Sequence, residues 1–176
     1  MTTPARTAFD IGRRLERDRA VPILDALCAA TNTPPHDIAD VARHHPRLRG
    51  VRRLAEVIRF VDSGAESPPE SLTRLLLVDD GLPCPTTQLV VRDHTGQFVA
   101  RVDMGWDDWR VAVEYDGAHH WTDPAQRAED INRLAALESL GWRVVRVSAT
   151  LLHCRPYLVT DRVRAALHAQ GAALNP

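Results

Sequence analysis

The chain contains no lysine: all 22 of its basic residues are arginine, so no side-chain amine is available anywhere for chemistry that needs one. Cysteine is scarce too. Cys28, Cys84 and Cys154 are odd in number and widely spaced, which argues against a disulfide framework, fits a reducing compartment and predicts small buried hydrophobes. With no C-x-x-C or H-x₃₋₅-H spacing among them and His119, His120 and His153, zinc is not expected. No run of eighteen apolar residues exists, and Met1 to Asp10 lack a basic-then-apolar layout, so the expectation is a soluble cytoplasmic protein with no membrane partner. The net charge of −1 gives no overall basic signature for nucleic acid. Internal repeats and low-complexity tracts are also missing, and no small organic cofactor is expected.

What is present fits 176 residues of ordinary globular composition, 44% hydrophobic and 26% charged. The charge is unevenly distributed: residues 1 to 65 hold 11 Arg against 8 acids, and residues 66 to 176 hold 11 Arg against 15 acids. Residues 3 to 61 read as three or four short helices, the first with Thr3 as N-cap, Pro4 at the first helical position and Ala8, Ile11 and Leu15 at helical spacing. "SGAESPP" (63 to 69) punctuates the chain, giving a helical region over 1 to 63 and a second domain over 64 to 176.

In the second domain "SPPESLTRLLLVDDG" predicts a helix opened by Ser67 and closed at Gly81. Three strands follow in "TTQLVVRD", "QFVARVDMGW" and "WRVAVEYDG". "DPAQRAEDINRLAALESLG" is a helix, "WRVVRVSA" a fourth strand and "RPYLVTDRVRAALHAQG" a final helix. The order αβββαβα implies an α+β (α/β) fold with a mixed four-stranded sheet, because a helix between the third and fourth strands makes a parallel crossover.

Acids interrupt these strands. Glu114 and Asp116 share one strand face, and a turn at Asp107 and Asp108 folds the chain back so that Asp103 comes close to Glu114. Three converging carboxylates are costly unless a cation neutralises them or one is protonated. An oxygen-only cluster suits Mg²⁺ or Mn²⁺, and an ion held there serves phosphodiester hydrolysis.

The element order, with Asp103, ten intervening residues and Glu114-Tyr115-Asp116, resembles the PD-(D/E)XK nuclease superfamily. "ESPPES", "GLPCPTTQ", "RVDMGW", "VAVEYDGAHH" and "RAEDINRLAALESLGWRVVRV" are more closely similar to the endonuclease-like domain of unknown function 559, related to very-short-patch repair endonucleases, over about residues 66 to 170. The resemblance implies a restriction-endonuclease-like core, DNA as substrate, Asp103 and Glu114 as metal ligands and Glu70 as a helix-borne acid of the same site. Asp116 stands where the superfamily pattern has its lysine, which leaves the general base open. His119 or His120 supplies one through a water, with His120 the preferred candidate.

Each of these residues also has a plainer role. Ser67-Pro68-Pro69-Glu70 is a capping box in which Glu70 reaches back from the third helical position. Glu114 on an edge strand would discourage aggregation, and Asp116-Gly117 is turn chemistry. Asp130 and Arg133 are spaced to pair on the helix surface, or Arg133 meets phosphate bidentately. Gln88 is placed to point at the site, and Arg127 and Trp121 are further candidates for nucleic-acid contact, with Trp106 and Trp109 as groove-lining aromatics and Trp142 in the core.

The run "RHHPRLRGVRR" (43 to 53) is either a solvated helix face or a phosphate-contacting one, and "TTPARTAFDIGRR" resembles the helical part of abortive-infection antitoxin-type (AbiEi-like) proteins. Two functions therefore compete. One is a metal-dependent DNA endonuclease, for which a homodimer would permit paired cuts. The other is a catalytically silent nucleic-acid-binding module or antitoxin-like regulator.

Overall fold

The computed structural model describes residues 2–117 and 124–174, without the side chains of 124–126. The chain divides into two compact units, Met1–Leu75 and Leu76–Pro176.

The first unit is helical, with α1 (Pro4–Gly12), α2 (Arg17–Thr31), α3 (Pro35–His44), α4 (Val51–Ile58) and the first two turns of α5 (Pro68–Asp79). The predicted cap is in place: the Thr3 hydroxyl accepts from Arg6 N at 3.2 Å and Pro4 opens α1. Phe9, Leu24, Ile38, Leu54 and Val57 are fully buried together and form the core. Gly50 is where this unit needs a glycine. Its φ of +88° is left-handed, and a Cβ there would sit 2.0 Å from Arg13 O, so only hydrogen lets the start of α4 pass this close to the end of α1. A buried polar hub lies beside the core: the Asp25 carboxylate accepts from Asp62 N (2.8 Å), Ser71 Oγ (2.7 Å) and Arg74 Nη2 (2.9 Å). Burial pushes the Asp25 carboxyl up in spite of those three donors.

The second unit is a mixed four-stranded sheet in the order β1 (Thr86–Arg92), β2 (Phe98–Trp106), β3 (Val111–Asp116), β4 (Arg143–Ser148). β1–β2 and β2–β3 are antiparallel, and β3–β4 are parallel across α6 (Pro124–Ser139), as the element order predicts. The alternation of Val, Ala and Val with polar residues makes these strands, and Asp93-His94-Thr95-Gly96 closes the first hairpin, with Asp93 Oδ1 accepting from Thr95 N (2.8 Å), Thr95 Oγ1 (2.6 Å) and Gln97 N (3.0 Å). α7 (Ala149–Cys154), capped by Ser148, precedes α8 (Pro156–Ala169) and is a short element that the sequence pattern does not separate from its neighbours. Leu137 of α6 and Trp142 pack with Val91, Ala100, Val102 and Ala112, while Val159, Val163 and Leu167 bury the apolar side of α8.

Two expectations change. Cys28 is buried, but Cys84 and Cys154 are exposed, because they stand in a connecting segment and at the end of a six-residue helix, where no core covers them. Trp106 is buried and its indole N–H donates to Pro83 O at 3.1 Å, so it packs and does not line a groove; Trp142 is buried as expected. No helix among the described residues is long and apolar enough to cross a membrane.

Candidate active site

The β2–β3 register pairs Met104 with Val113, Gly105 with Ala112 and Trp106 with Val111. Extended by one residue, it sets Asp103 against Glu114 on the same face. The ladder stops there because a side chain replaces the backbone: Asp103 Oδ2 accepts from Tyr115 N at 2.7 Å. On the other side of Asp103, the β1–β2 pairing skips Gln88, which has the left-handed φ of 49°. A non-glycine residue held there is strained by roughly 1–2 kcal/mol.

A cleft of about 360 Å³ opens over this point and is lined by Asp103, Glu114, Asp116, Asp130, Arg133 and Arg146, with Arg101, Arg127 and Glu129 among the other lining residues. The β3–β4 register aligns Glu114 with Arg146, so both side chains face the cleft. α6 brings Asp130 and Arg133 to it on the helix face that continues into buried Leu137.

These groups form an alternating ladder. Both Glu114 oxygens accept from Arg133, Nη1 to Oε1 and Nη2 to Oε2, the second at 3.1 Å. Arg133 Nη2 also donates to Asp130 Oδ1 at 2.5 Å. Arg146 Nη1 lies 3.3 Å from Asp130 Oδ2, and its Nη2 lies 3.1 Å from Asp116 Oδ2. Glu114 is only 7% exposed. Its carboxylate, aided by Asp130, holds the Arg133 guanidinium well above its ordinary pKa against the opposing effect of burial. Two buried polar atoms in the ladder have no hydrogen-bond partner among the described residues, Asp116 Oδ1 and Arg146 Nε.

The structure therefore brings Asp103, Glu114, Asp116, Arg127 and Arg133 to one cleft. Gln88 is not among the described residues lining it. Glu70 belongs to the helical unit, and there its carboxylate closes the capping box: Ser67 Oγ donates to Oε1 at 2.7 Å, Glu66 N to Oε2 at 2.9 Å, and Glu70 N returns to Ser67 Oγ at 3.4 Å. His119, His120 and Trp121 lie outside the described residues. Among those described, no group of three or more His, Cys, Asp or Glu is arranged to hold a metal ion. In this arrangement arginines balance the clustered acids.

Arg146 escaped the sequence reading. The signal was the alternation in "RVVRVS", which puts Arg146 on the same face as Val144 and Ser148, opposite the acids of β3 once the strands are parallel.

Residues 86–167 match the family model REase_MTES_1575, a restriction-endonuclease-like family, and the match covers every described residue of the cleft. An uncharacterized protein of Mycobacterium tuberculosis, in strains CDC 1551 and H37Rv, is 36% identical over 162 residues, which is 92% of this chain and 59% of that protein. The chain thus spans less than two thirds of the length of these relatives. No solved structure matches. The mixed sheet and the match agree on a restriction-endonuclease-like core over residues 86–167.

Proposed function

We propose that the cleft is the active site of a divalent-metal-dependent DNA endonuclease that hydrolyses phosphodiester bonds, by nicking or cutting. The observation that carries this reading is the convergence of Asp103, Glu114 and Asp116 on one cleft inside the stretch that matches a restriction-endonuclease-like family. The donor set fits Mg²⁺ or Mn²⁺ in kind: all its candidates are carboxylate oxygens, and Asp116 Oδ1 is a buried acceptor without a partner among the described residues. Asp103 and Glu114 would hold the ion, with Asp116 completing the acidic cluster. When bound, the ion supplies positive charge at a phosphate oxygen and a more acidic water.

The chain's own residues set the terms of entry. Both oxygens of Glu114 face Arg133, so Glu114 would have to release that guanidinium to hold an ion. Arg133 keeps Asp130 as its partner after that exchange. Arg133 and Arg146 then present donors suited to the non-bridging oxygens of a phosphate. An arginine does not give up its proton, so neither is the general base. That role falls to a carboxylate or to His119 or His120. A part for Glu70 requires it to leave its capping box. Gln88, Arg127 and Trp121 remain proposed DNA contacts, and a second copy of the chain would be needed for paired cuts. The kinship to very-short-patch repair enzymes, with a role in DNA repair in the cytoplasm, belongs to this same proposal, as does an AbiEi-like character for the helical unit.

Two observations favour the competing reading of a silent nucleic-acid-binding module: Glu114 is already neutralised by Arg133, and the chain has no lysine. Calorimetry with Mn²⁺ and plasmid nicking with Mg²⁺ or Mn²⁺ separate the two. The endonuclease reading expects a Mn²⁺ site and nicked or linear product for the wild type, both lost in Asp103→Ala and Glu114→Ala. A wild type that binds no divalent ion and leaves plasmid supercoiled rules out the endonuclease, and the silent module then expects duplex binding by that same protein in EDTA.

A further inference from the structure

The helical unit carries an arginine cluster that its own fold neutralises only in part. From His44 to Ala55 the chain contains no acid, while Arg47, Arg49, Arg52 and Arg53 fall within seven residues and are all exposed. The end of α1 is fastened to the same place. Arg13 Nη1 donates to Arg49 O at 3.3 Å, Arg53 Nη1 to Arg14 O at 3.5 Å, and Gly50 admits the Arg13 carbonyl where a side chain would not fit. Six arginines, 13, 14, 47, 49, 52 and 53, are thereby drawn together. The acids paired with them are Asp10, shared by Arg6, Arg13 and Arg14, and Glu16, 3.0 Å from Arg53. Elsewhere in the unit Asp18 pairs with Arg17, Asp40 with Arg43 and Asp25 with Arg74, and Glu70 closes a cap, while Glu56 follows Arg52 by one turn of α4. α4 also begins with Arg52 and Arg53 and has no acid in its first turn, an arrangement that the helix dipole disfavours. Such a concentration of one charge weakens the fold in isolation and is repaid by a polyanion.

We propose that this cluster, centred on Arg47, Arg49 and Arg52, is a docking surface for the phosphodiester backbone of duplex DNA. The choice of DNA as partner rests on the nuclease reading of the other unit. The binding itself does not require cleavage. Guanidinium forks suit phosphate, and contacts of this kind carry no sequence preference, so the surface holds duplex without selecting a sequence.

The test is fluorescence anisotropy of a labelled duplex with the full chain in EDTA, across a salt series. Each phosphate contact adds about 0.9 to the slope of log affinity against log salt, so Arg47→Gln/Arg49→Gln/Arg52→Gln should flatten the slope by roughly 3 and leave the circular dichroism unchanged. A control with the same charge loss in the sheet unit, Arg92→Gln/Arg155→Gln/Arg162→Gln, should change it by less than about 1. A slope unchanged in the first variant, an equal fall in the control, or tighter binding of duplex RNA than of duplex DNA overturns the proposal. If wild type and control bind duplex in this way but nothing is cut under Mg²⁺ or Mn²⁺, the nuclease reading fails and the docking surface stands.

Discussion

Asp25 and Arg74 in the helical unit are made of the same two groups as the ladder from Glu114 through Arg133, Asp130 and Arg146 to Asp116 in the sheet unit, yet the two assemblies do different work. The first is sealed, with side chains 1% and 3% exposed, and its carboxylate is saturated by three donors. The second is open on a cleft, with side-chain exposures from 10% at Glu114 to 36% at Arg146. A sealed pair has nothing to exchange with. An open one can trade an internal partner for an external ion, and the half-buried ladder is the assembly whose partners are replaceable. Burial raises the carboxyl of Asp25 even though the partners are good.

The contrast can be broken at either end, and the largest effect is expected at the sealed pair. Asp25→Ala strands the Arg74 charge in the core and should cost the helical unit about 3–5 kcal/mol. Asp25→Leu with Arg74→Met should recover part of that loss, since it removes the stranded charge but leaves Ser71 Oγ and Asp62 N without their acceptor. Chemical denaturation, with hydrogen exchange over residues 4–58 to localise the change, decides it; a double variant as unstable as the single one contradicts this account. At the open assembly, Glu114→Ala should lower stability by only about 1–3 kcal/mol, because Arg133 keeps Asp130 and reaches water. The same variant should lose Mn²⁺ binding in calorimetry. Arg133→Met removes the competitor for Glu114, and Mn²⁺ affinity should rise by about 10-fold, or 1.4 kcal/mol; weaker Mn²⁺ binding in this variant would show that Arg133 does not hold the metal's place.

The smallest effect concerns pH. The Thr95 hydroxyl, with the amides of Gln97 and Thr95, holds the exposed Asp93 carboxyl below the usual range. A lowered folded-state pKa gives stability that is present above the unfolded value of about 3.9 and lost as pH falls through the folded one. The stability gap between wild type and Asp93→Ala should therefore be steady at neutral pH and close in acid below that value. A gap that persists unchanged at low pH would mean that Asp93 acts through its turn geometry alone.

Much of this arrangement is legible in the sequence because it is local. Alternation and turn residues place the four strands, the S-x-x-E spacing announces the cap that engages Glu70, and the short β2–β3 connection sets Asp103 opposite Glu114. What is not legible depends on distant partners. Arg146 meets Asp116 across a parallel crossover of some thirty residues, and parallel neighbours leave no hairpin signature. The pairing of Asp130 and Arg133 was readable from their spacing, but the second hold of Arg133 on Glu114 was not, because a helix face does not say which strand it covers. The left-handed Gln88 carries no turn motif to announce it.

The ladder also has a consequence for how the chain finds its fold. Its five members come from β3, α6 and β4, the three pieces of one crossover, and the aligned pair of Glu114 with Arg146 fixes how β4 must lie. A shift of β4 by one residue would turn Arg146 to the far face and leave Asp116 and Asp130 without it, so the register error also breaks the ladder's pairing. The charges of the cleft thus act as a checksum on strand register, written in arginine and aspartate.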